Sequence, residues 1–160
     1  MGDLRMVTTL TWGVKQSFRR YVEATGGTTE AGEGVERTAD GEFSFAAAPG
    51  GDLRLGADGK PEGQGRFLGE VRFEAHGGML SVTLVDLAVE VGAAGAVLTV
   101  CDGKAPVRRV EIARLDLDAM TTDEAGEAVI PTALSIDGIQ LLGDHYPPMT
   151  PLDPVRLAVG

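Results

Sequence analysis

Short alternating segments separated by glycine constrain the fold of this chain most strongly. From residue 42 onward apolar side chains recur at every second position, as at Phe43 and Phe45, and Gly or Pro ends many of the segments. Side chains alternate between the two faces of a strand, so this period indicates half-buried β-strands. Glycine supplies 23 of the 160 residues, about twice its usual share. The pattern predicts a mainly β fold, an antiparallel β-sandwich or barrel-like single domain covering residues 1–160.

The predicted strands cover residues 42–46, 52–55, 66–76, 79–91, 96–100, 107–117, 128–136 and 155–159, the last of them at a sheet edge. In the segment 79–91 the apolar phase shifts after Leu84, which predicts a β-bulge or a corner. Residues 25–40, rich in Gly, Thr and Glu, and residues 146–154, rich in Pro, are expected to form loops.

One segment near the N-terminus has a helical period instead. Its apolar stripe, with spacings of four, three and one residues, consists of Val14, Phe18, Tyr21 and Val22. Thr11 is the expected N-cap, and the pair Gly26 and Gly27 is the expected C-terminal stop. Ser17 lies one turn before Tyr21, so two hydroxyl groups fall on an apolar face, where each needs a hydrogen-bond partner.

The charge balance narrows the classes of partner. The chain has 14 Lys and Arg against 24 Asp and Glu, a net charge of −10, which disfavours nucleic acid and anionic membrane surfaces. No apolar run approaches the about 18–20 residues of a membrane helix, and no export signal is evident. We therefore expect a cytoplasmic protein, or a secreted or cell-surface one if the sequence is an excised domain. The single Cys101 is expected to be a buried structural thiol.

Few residues stand out as candidates for chemistry, and each has an ordinary structural interpretation. His76 and His145 are the only imidazoles, and no phosphate loop, zinc-protease or nucleophile-elbow motif is present. His76 ends a strand before two glycines and is typical of a solvated residue. Tyr146 precedes two prolines in a stiff loop, where a packed ring with a hydrated hydroxyl is common. The Ser17 hydroxyl could bond back to the Gly13 carbonyl.

Together these segments resemble the HtaA-domain family, a haem-binding module of actinobacterial haem uptake. Residues 10–22, LTWGVKQSFRRYV, look like the opening of that domain, and residues 69–80, GEVRFEAHGGML, look like its central Phe-x-x-His-Gly-Gly segment. Residues 41–45, GEFSF, and the Tyr-Pro and Asp-Pro segment within residues 146–155 resemble its short aromatic strand and its ending. The resemblance spans nearly the whole chain and implies a β-rich fold with a haem pocket.

The resemblance also implies roles for individual residues. In this family the helix tyrosine ligates ferric haem iron through its phenolate, which makes Tyr21 the metal ligand and His76 its hydrogen-bond partner. Ser17 matches a position that meets one haem propionate, and Tyr146 is the looser candidate for the other. Phe18 is expected to contact the porphyrin. Because a tyrosine phenol in water ionises only near pH 10, an imidazole N–H beside the phenolate would help to stabilise it.

The expected function is a non-catalytic haem-binding protein, with ferric haem b as its cofactor, that serves haem uptake, transfer or intracellular buffering and trafficking. Its expected partners are haem and a haem donor or acceptor protein, with a homodimer as one conceivable assembly, and neither nucleic acid nor membrane insertion is expected. Two alternatives stay open: a haem-dependent, peroxidase-like enzyme that uses His76, and an acidic β-sandwich interaction module without a ligand. Arg19 or Arg20 on the helix is a further candidate to pair with a propionate.

Overall fold

The computed structural model describes residues 5–102, 108–144 and 146–160, and it confirms the predicted mainly β fold. In the described residues the first strands are β1 (Arg5–Trp12), β2 (Thr28–Ala31), β3 (Glu36–Arg37), β4 (Phe43–Ala46), β5 (Arg54–Leu55), β6 (Pro61–Glu62) and β7 (Gln64–Arg66). The remaining strands are β8 (Glu70–Ala75), β9 (Leu80–Gly92), β10 (Gly95–Cys101), β11 (Arg109–Leu115), β12 (Thr121–Thr122), β13 (Ala128–Leu134) and β14 (Pro151–Val159). The helix α1 (Gln16–Ala24) joins β1 to β2.

The strands form one antiparallel sheet that curls until it is nearly closed as a barrel. Its order is β2-β8-β9-β10-β11-β13-β14-β1-β4-β3, with the short strands β5, β6, β7 and β12 attached at its margins. The segments that follow β4 and β7 hydrogen-bond to each other and so bring the two ends of this strand order close together. Leu68 donates its amide to the Ala46 carbonyl and Ala48 donates to Arg66, each over 2.8 Å, around a bridge between Ala47 and Phe67.

The predicted bulge in β9 is confirmed. Cys101 of β10 pairs with Val85, and Thr99, two residues earlier, pairs with Ala88, so β9 holds one extra residue there. Asp86 absorbs the insertion with φ 53°. The buried side chains change phase at this point: Leu84 is buried before the bulge and Leu87 after it, as the shift of apolar phase indicates.

The predicted start of the helix is wrong. Thr11 lies in β1 rather than at an N-cap, and its hydroxyl is 2.7 Å from that of Ser44 in β4. Here β1 lies between β14 and β4 and gains hydrogen bonds on both edges, which local helical periodicity does not reveal. Val14 precedes the helix with φ 68°. The C-terminal stop is as predicted, since Gly26 adopts φ 76° just after α1.

Two segments expected to be loops contain strands. Residues 25–40 include β2 and β3, and β14 begins at Pro151 instead of residue 155. β14 is also an inner strand rather than an edge, because it pairs with β13 and with β1. Its register against β13 shifts by one residue around Asp153 and Pro154, and such an irregularity lets a proline sit inside a sheet despite its missing N–H.

The core fills the interior of the curled sheet, and α1 packs against it. The largest fully buried side chains include Trp12, Phe18, Phe43, Phe67 and Phe73. Phe73 contacts Phe18 and Phe43 edge to face, with ring centroids 5.1 and 5.8 Å apart. Cys101 is buried and free, as expected. Among the described residues, none of the helices has the length and apolar character that crossing a membrane requires.

Candidate functional site

The helix α1 presents two hydroxyl side chains at the surface while its other face enters the core. Phe18 and Val22, four residues apart, are fully buried, and Arg19 is buried beside them. Ser17 and Tyr21 are exposed, so the expectation that they share the apolar face is wrong. The reason is the late start of the helix: once Val14 is outside it, the buried stripe is centred on Phe18, Arg19 and Val22, and Ser17 and Tyr21 flank that stripe.

His76 meets Tyr21 at this surface. Strand β8 ends at Ala75, and the chain then turns sharply through His76, Gly77 and Gly78, all with positive φ. Such angles are favourable for glycine and uncommon for other residues. The turn places His76 Nε2 2.6 Å from Tyr21 Oη, with the two ring centroids 5.7 Å apart. Both side chains are exposed, Tyr21 by 39%.

The pairing of β2 with β8 holds these two residues in register. α1 ends in a tight turn in which the Gly27 amide donates to the Val22 carbonyl over 2.8 Å. The chain enters β2 directly, and Thr28 pairs with Glu74, two residues before His76. A side chain at Gly27 would collide with the Glu74 carbonyl oxygen, so glycine is required for this close approach.

Tyr146 lies next to Ser17 and Phe18 of α1. Its ring packs at 65° to that of Phe18, with centroids 6.5 Å apart, and Lys15 Nζ is 5.8 Å from the ring centre. Burial raises the pKa of Tyr146 above its ordinary value; a hydrogen bond with Ser17 opposes this shift, and the neighbouring Tyr21 adds to it. The two tyrosines of the chain therefore belong to one cluster.

The structure brings the five predicted site residues together: Ser17, Phe18, Tyr21, His76 and Tyr146. They do not all face solvent. Phe18 is fully buried and supports Tyr146 from beneath, and its predicted contact with a porphyrin stays a prediction.

The basic residues near the site differ from the expectation. Arg19 is buried and forms an ion pair with Asp153 of β14 over 2.5 Å, so it is not exposed for a propionate, whereas Arg20 is exposed. Lys15 and Asp153 were not among the sequence candidates. Its position two residues before Ser17 could have identified Lys15 from the sequence. Asp153 is 134 positions from Arg19, and no nearby sequence pattern marks it as a partner of the helix. His145 lies outside the described residues.

Comparison with known proteins agrees with this architecture. The structure resembles the C-terminal domain of HtaA from Corynebacterium glutamicum, with 27% identity, a TM-score of 0.70 and coverage of 96% of this chain and 98% of that one. The N-terminal domain of the same protein has 22% identity and a TM-score of 0.73, over 99% of both chains. HtaB from Corynebacterium glutamicum, a haem-binding protein, has 19% identity and a TM-score of 0.67, over 98% of this chain and 94% of its own.

A comparison with curated proteins found no match. A match to a family model, however, extends over nearly all of the sequence. The model is that of HtaA (Htaa), and it aligns with residues 7–158, from β1 to β14. The chain therefore belongs to the HtaA family.

Proposed function

We propose that this protein binds ferric haem b and that the Tyr21 phenolate would be the protein's ligand to the iron. The observation that carries the proposal is the approach of His76 Nε2 to Tyr21 Oη at 2.6 Å on an accessible surface. An imidazole N–H directed at a phenol oxygen favours the anionic form of that oxygen. Phenolate is an established ligand of haem iron, and the histidine would orient it and tune its basicity.

The residues present fit a haem group. A porphyrin supplies four nitrogen ligands of its own, so one oxygen donor from the protein is sufficient, and Tyr21 offers that donor at the protein surface. Two further exposed apolar side chains flank the cluster in sequence: Met79, 91% exposed, follows the His76 turn, and Met149, 64% exposed, follows Tyr146. They are suited to the apolar face of a macrocycle.

Polar groups near the N-terminal end of α1 suit the carboxylates of haem. Ser17 and Tyr146 share a hydrogen bond, and Lys15 adds a positive charge within 5.8 Å of the Tyr146 ring centre. We infer that Ser17 donates to the Tyr146 oxygen and that the Tyr146 hydroxyl in turn donates to a haem propionate. In a protein of net charge −10, a local ammonium group beside these donors would favour carboxylate binding.

The arrangement favours holding and transferring haem over catalysis. Tyr21 is open to solvent, and such a shallow site lets a second protein reach the ligand. His76, the imidazole in the described part of the site, is engaged with Tyr21 rather than held apart as an acid–base group. We therefore propose a role in haem uptake, transfer or buffering, with a donor or acceptor protein as partner. The cytoplasmic location and a homodimer stay predictions, which cell fractionation and sedimentation would test.

Titration of the apo-protein with haemin tests the proposal. We expect saturable binding with one haem per chain, a Soret band and a high-spin ferric charge-transfer band. A protein that stays colourless would contradict the proposal and favour the interaction-module alternative. Peroxide turnover by the loaded protein should not exceed that of free haemin, whereas turnover well above it would favour the enzyme.

A further inference from the structure

A buried ion pair fixes the N-terminal end of α1 to β14. Arg19 Nη1 lies 2.5 Å from Asp153 Oδ2, and the two side chains are only 8% and 17% exposed. The same nitrogen donates to the Gly13 carbonyl over 2.7 Å. A side chain at Gly13 would collide with both charged groups, so the connection between β1 and α1 is shaped around this pair.

Asp153 also replaces the missing cap of the helix. Lys15, at the N-cap position, makes no side-chain capping bond. Instead Asp153 Oδ1 accepts the amide of Gln16 over 3.0 Å, and the Asp153 amide donates to the Val14 carbonyl over 2.8 Å. A carboxylate at a helix N-terminus satisfies free N–H groups and complements the helix dipole. Here it comes from a strand 137 positions away in sequence.

The helix depends on such external contacts because it is short. It has nine residues, fewer than the about 12–15 that an isolated helix needs to be even marginally stable in water. Its buried face and Asp153 therefore determine where its exposed edge lies. That edge carries Ser17, one residue after Gln16 and two before Arg19, the two residues that Asp153 binds.

Asp153 is itself held in place by neighbouring strands, so it can fix the position of the helix. Its carbonyl oxygen accepts hydrogen bonds from Trp12 Nε1 and Thr132 Oγ1, each over 2.8 Å, which ties it to β1 and β13. The start of its own strand also borders the loop that carries Tyr146. Lys15 Nζ donates to the Pro151 carbonyl over 2.9 Å and so joins the helix start to the end of that loop.

The two halves of the site thus have different supports. The pairing of β2 with β8 positions Tyr21 and His76, near the C-terminal end of α1. Contacts with β14 position Ser17 and Tyr146, near the N-terminal end of α1. We propose that Asp153 is a positioning residue that, through Arg19 and the Gln16 amide, holds Ser17 against Tyr146 and thereby sets the affinity for the haem propionates. This inference rests on the proposed haem function.

The first test uses the apo-protein and does not depend on haem. In a Tyr21→Phe background Tyr146 is the one tyrosine left, so its ionisation can be followed by tyrosinate absorbance during alkaline titration. Asp153→Asn should raise the pKa of Tyr146, as Ser17→Ala should, because both break the hydrogen bond that lowers it. Adding Asp153→Asn to Ser17→Ala should produce no further shift. An unchanged titration in Asp153→Asn, or two shifts that add, would overturn the proposal.

The second test measures haemin affinity with Tyr21 intact. Asp153→Asn should weaken binding by about tenfold, the scale of one lost hydrogen bond to a charged group. The charge-transfer band should be unchanged, because Tyr21 and His76 keep their own support. In a double-mutant cycle with Ser17→Ala, the loss of haemin affinity in the double variant should be smaller than the product of the two single losses, since both changes act on the same contact. Wild-type affinity in Asp153→Asn, or fully multiplicative losses, would contradict the positioning role.

Two further variants keep these tests interpretable. If Asp153→Asn folds poorly because Arg19 is left unpaired, Arg19→Met with Asp153→Asn removes both charges, and the same titrations apply. Asp123→Asn is the matched control. It breaks the Arg156–Asp123 ion pair on another part of β14, 3.3 Å long, and should leave Tyr146 and haemin affinity unchanged. If the wild type binds no haemin, the proposed function fails, while the apo titration still decides whether Asp153 holds the contact between Ser17 and Tyr146.

Discussion

Tyr21 Oη and His76 Nε2 lie 2.6 Å apart although 55 positions separate the two residues in the chain. One belongs to the surface edge of a short helix, and the other to a glycine-rich turn after a strand. The contact exists because β2, which directly follows the helix, pairs with the strand that ends at this turn. A hydrogen bond built from such distant segments gives the phenol a defined orientation and makes its chemistry testable by substitution.

Tyr21→Phe should lose haemin binding almost entirely. The change removes the oxygen donor and keeps the ring, so the fold should be preserved. We expect affinity to fall by about a hundredfold or more, because losing the ligand itself should cost at least as much as losing a group that orients it, which is about 10–100-fold. Absorbance titration would measure this. Tyr146→Phe is the matched control and should weaken binding much less, without altering the charge-transfer band. Equal losses in the two variants would argue against Tyr21 as the ligand.

His76→Ala should weaken haemin binding less than Tyr21→Phe does. Groups that orient a metal ligand typically contribute about 10–100-fold in affinity, and His76 contacts the phenol rather than the predicted iron position. The charge-transfer band should shift, since the electron density on the phenolate oxygen changes. A spectrum identical to wild type would show that the imidazole does not act on the ligand.

Ser17→Ala should raise the pKa of Tyr146. Burial already raises this pKa, and the hydrogen bond with Ser17 partly offsets the effect, so its removal leaves burial unopposed. The Tyr21→Phe background isolates the absorbance change of Tyr146. Thr25→Ala, on the same helix edge but remote from Tyr146, serves as the control, because its hydroxyl bonds the Tyr21 and Val22 carbonyls.

Glu42→Gln should stabilise the protein near neutral pH. Burial, followed by repulsion from Asp153, raises the pKa of Glu42 above its ordinary value of 4.5. The folded state therefore binds a proton more readily than the unfolded chain, so the free energy of unfolding falls as pH rises from 4.5 through the folded-state pKa. Because the side chain is partly exposed, solvent screening keeps the gain below about 1 kcal/mol.

Urea unfolding at pH 4 and pH 7 would measure the effect of Glu42→Gln. Its advantage over wild type should be larger at pH 7, where the carboxylate is charged. Glu23→Gln, at an exposed position on α1, is the control and should match wild type at both pH values. A Glu42→Gln variant that loses stability at pH 7 would show that the attractions of Glu42 to Arg156 and Arg19 outweigh its burial.

Phe18→Ala should be the most destabilising of these changes. The ring is fully buried against Phe73 and Tyr146, and deleting a buried phenylalanine side chain costs about 3–5 kcal/mol. Thermal unfolding should shift by roughly 10 °C for a domain of this size. Met79→Ala, at a position 91% exposed, should leave Tm nearly unchanged. A small loss in Phe18→Ala would mean that the helix contributes little to the core.

Local sequence determines much of this protein. Alternation of apolar residues predicts most of the strands, because a half-buried strand requires one apolar face, and the phase change after Leu84 predicts the bulge that the structure contains at Asp86. Glycines mark turns with positive φ at Gly26, Gly77 and Gly78. A resemblance carried by two short motifs also indicates the family, which the family-model match over residues 7–158 shows.

Only the tertiary structure decides where the helix begins and which side chains meet. Thr11 is the expected N-cap, yet it lies in a strand because β4 and β14 offer hydrogen bonds on both sides. The cap and the counter-charge of α1 come from Asp153, and the partner of Tyr21 comes from the turn after β8. Sequence periodicity reports on neighbours three or four residues apart, whereas these contacts join residues 55 to 137 positions apart and form only once the sheet has closed.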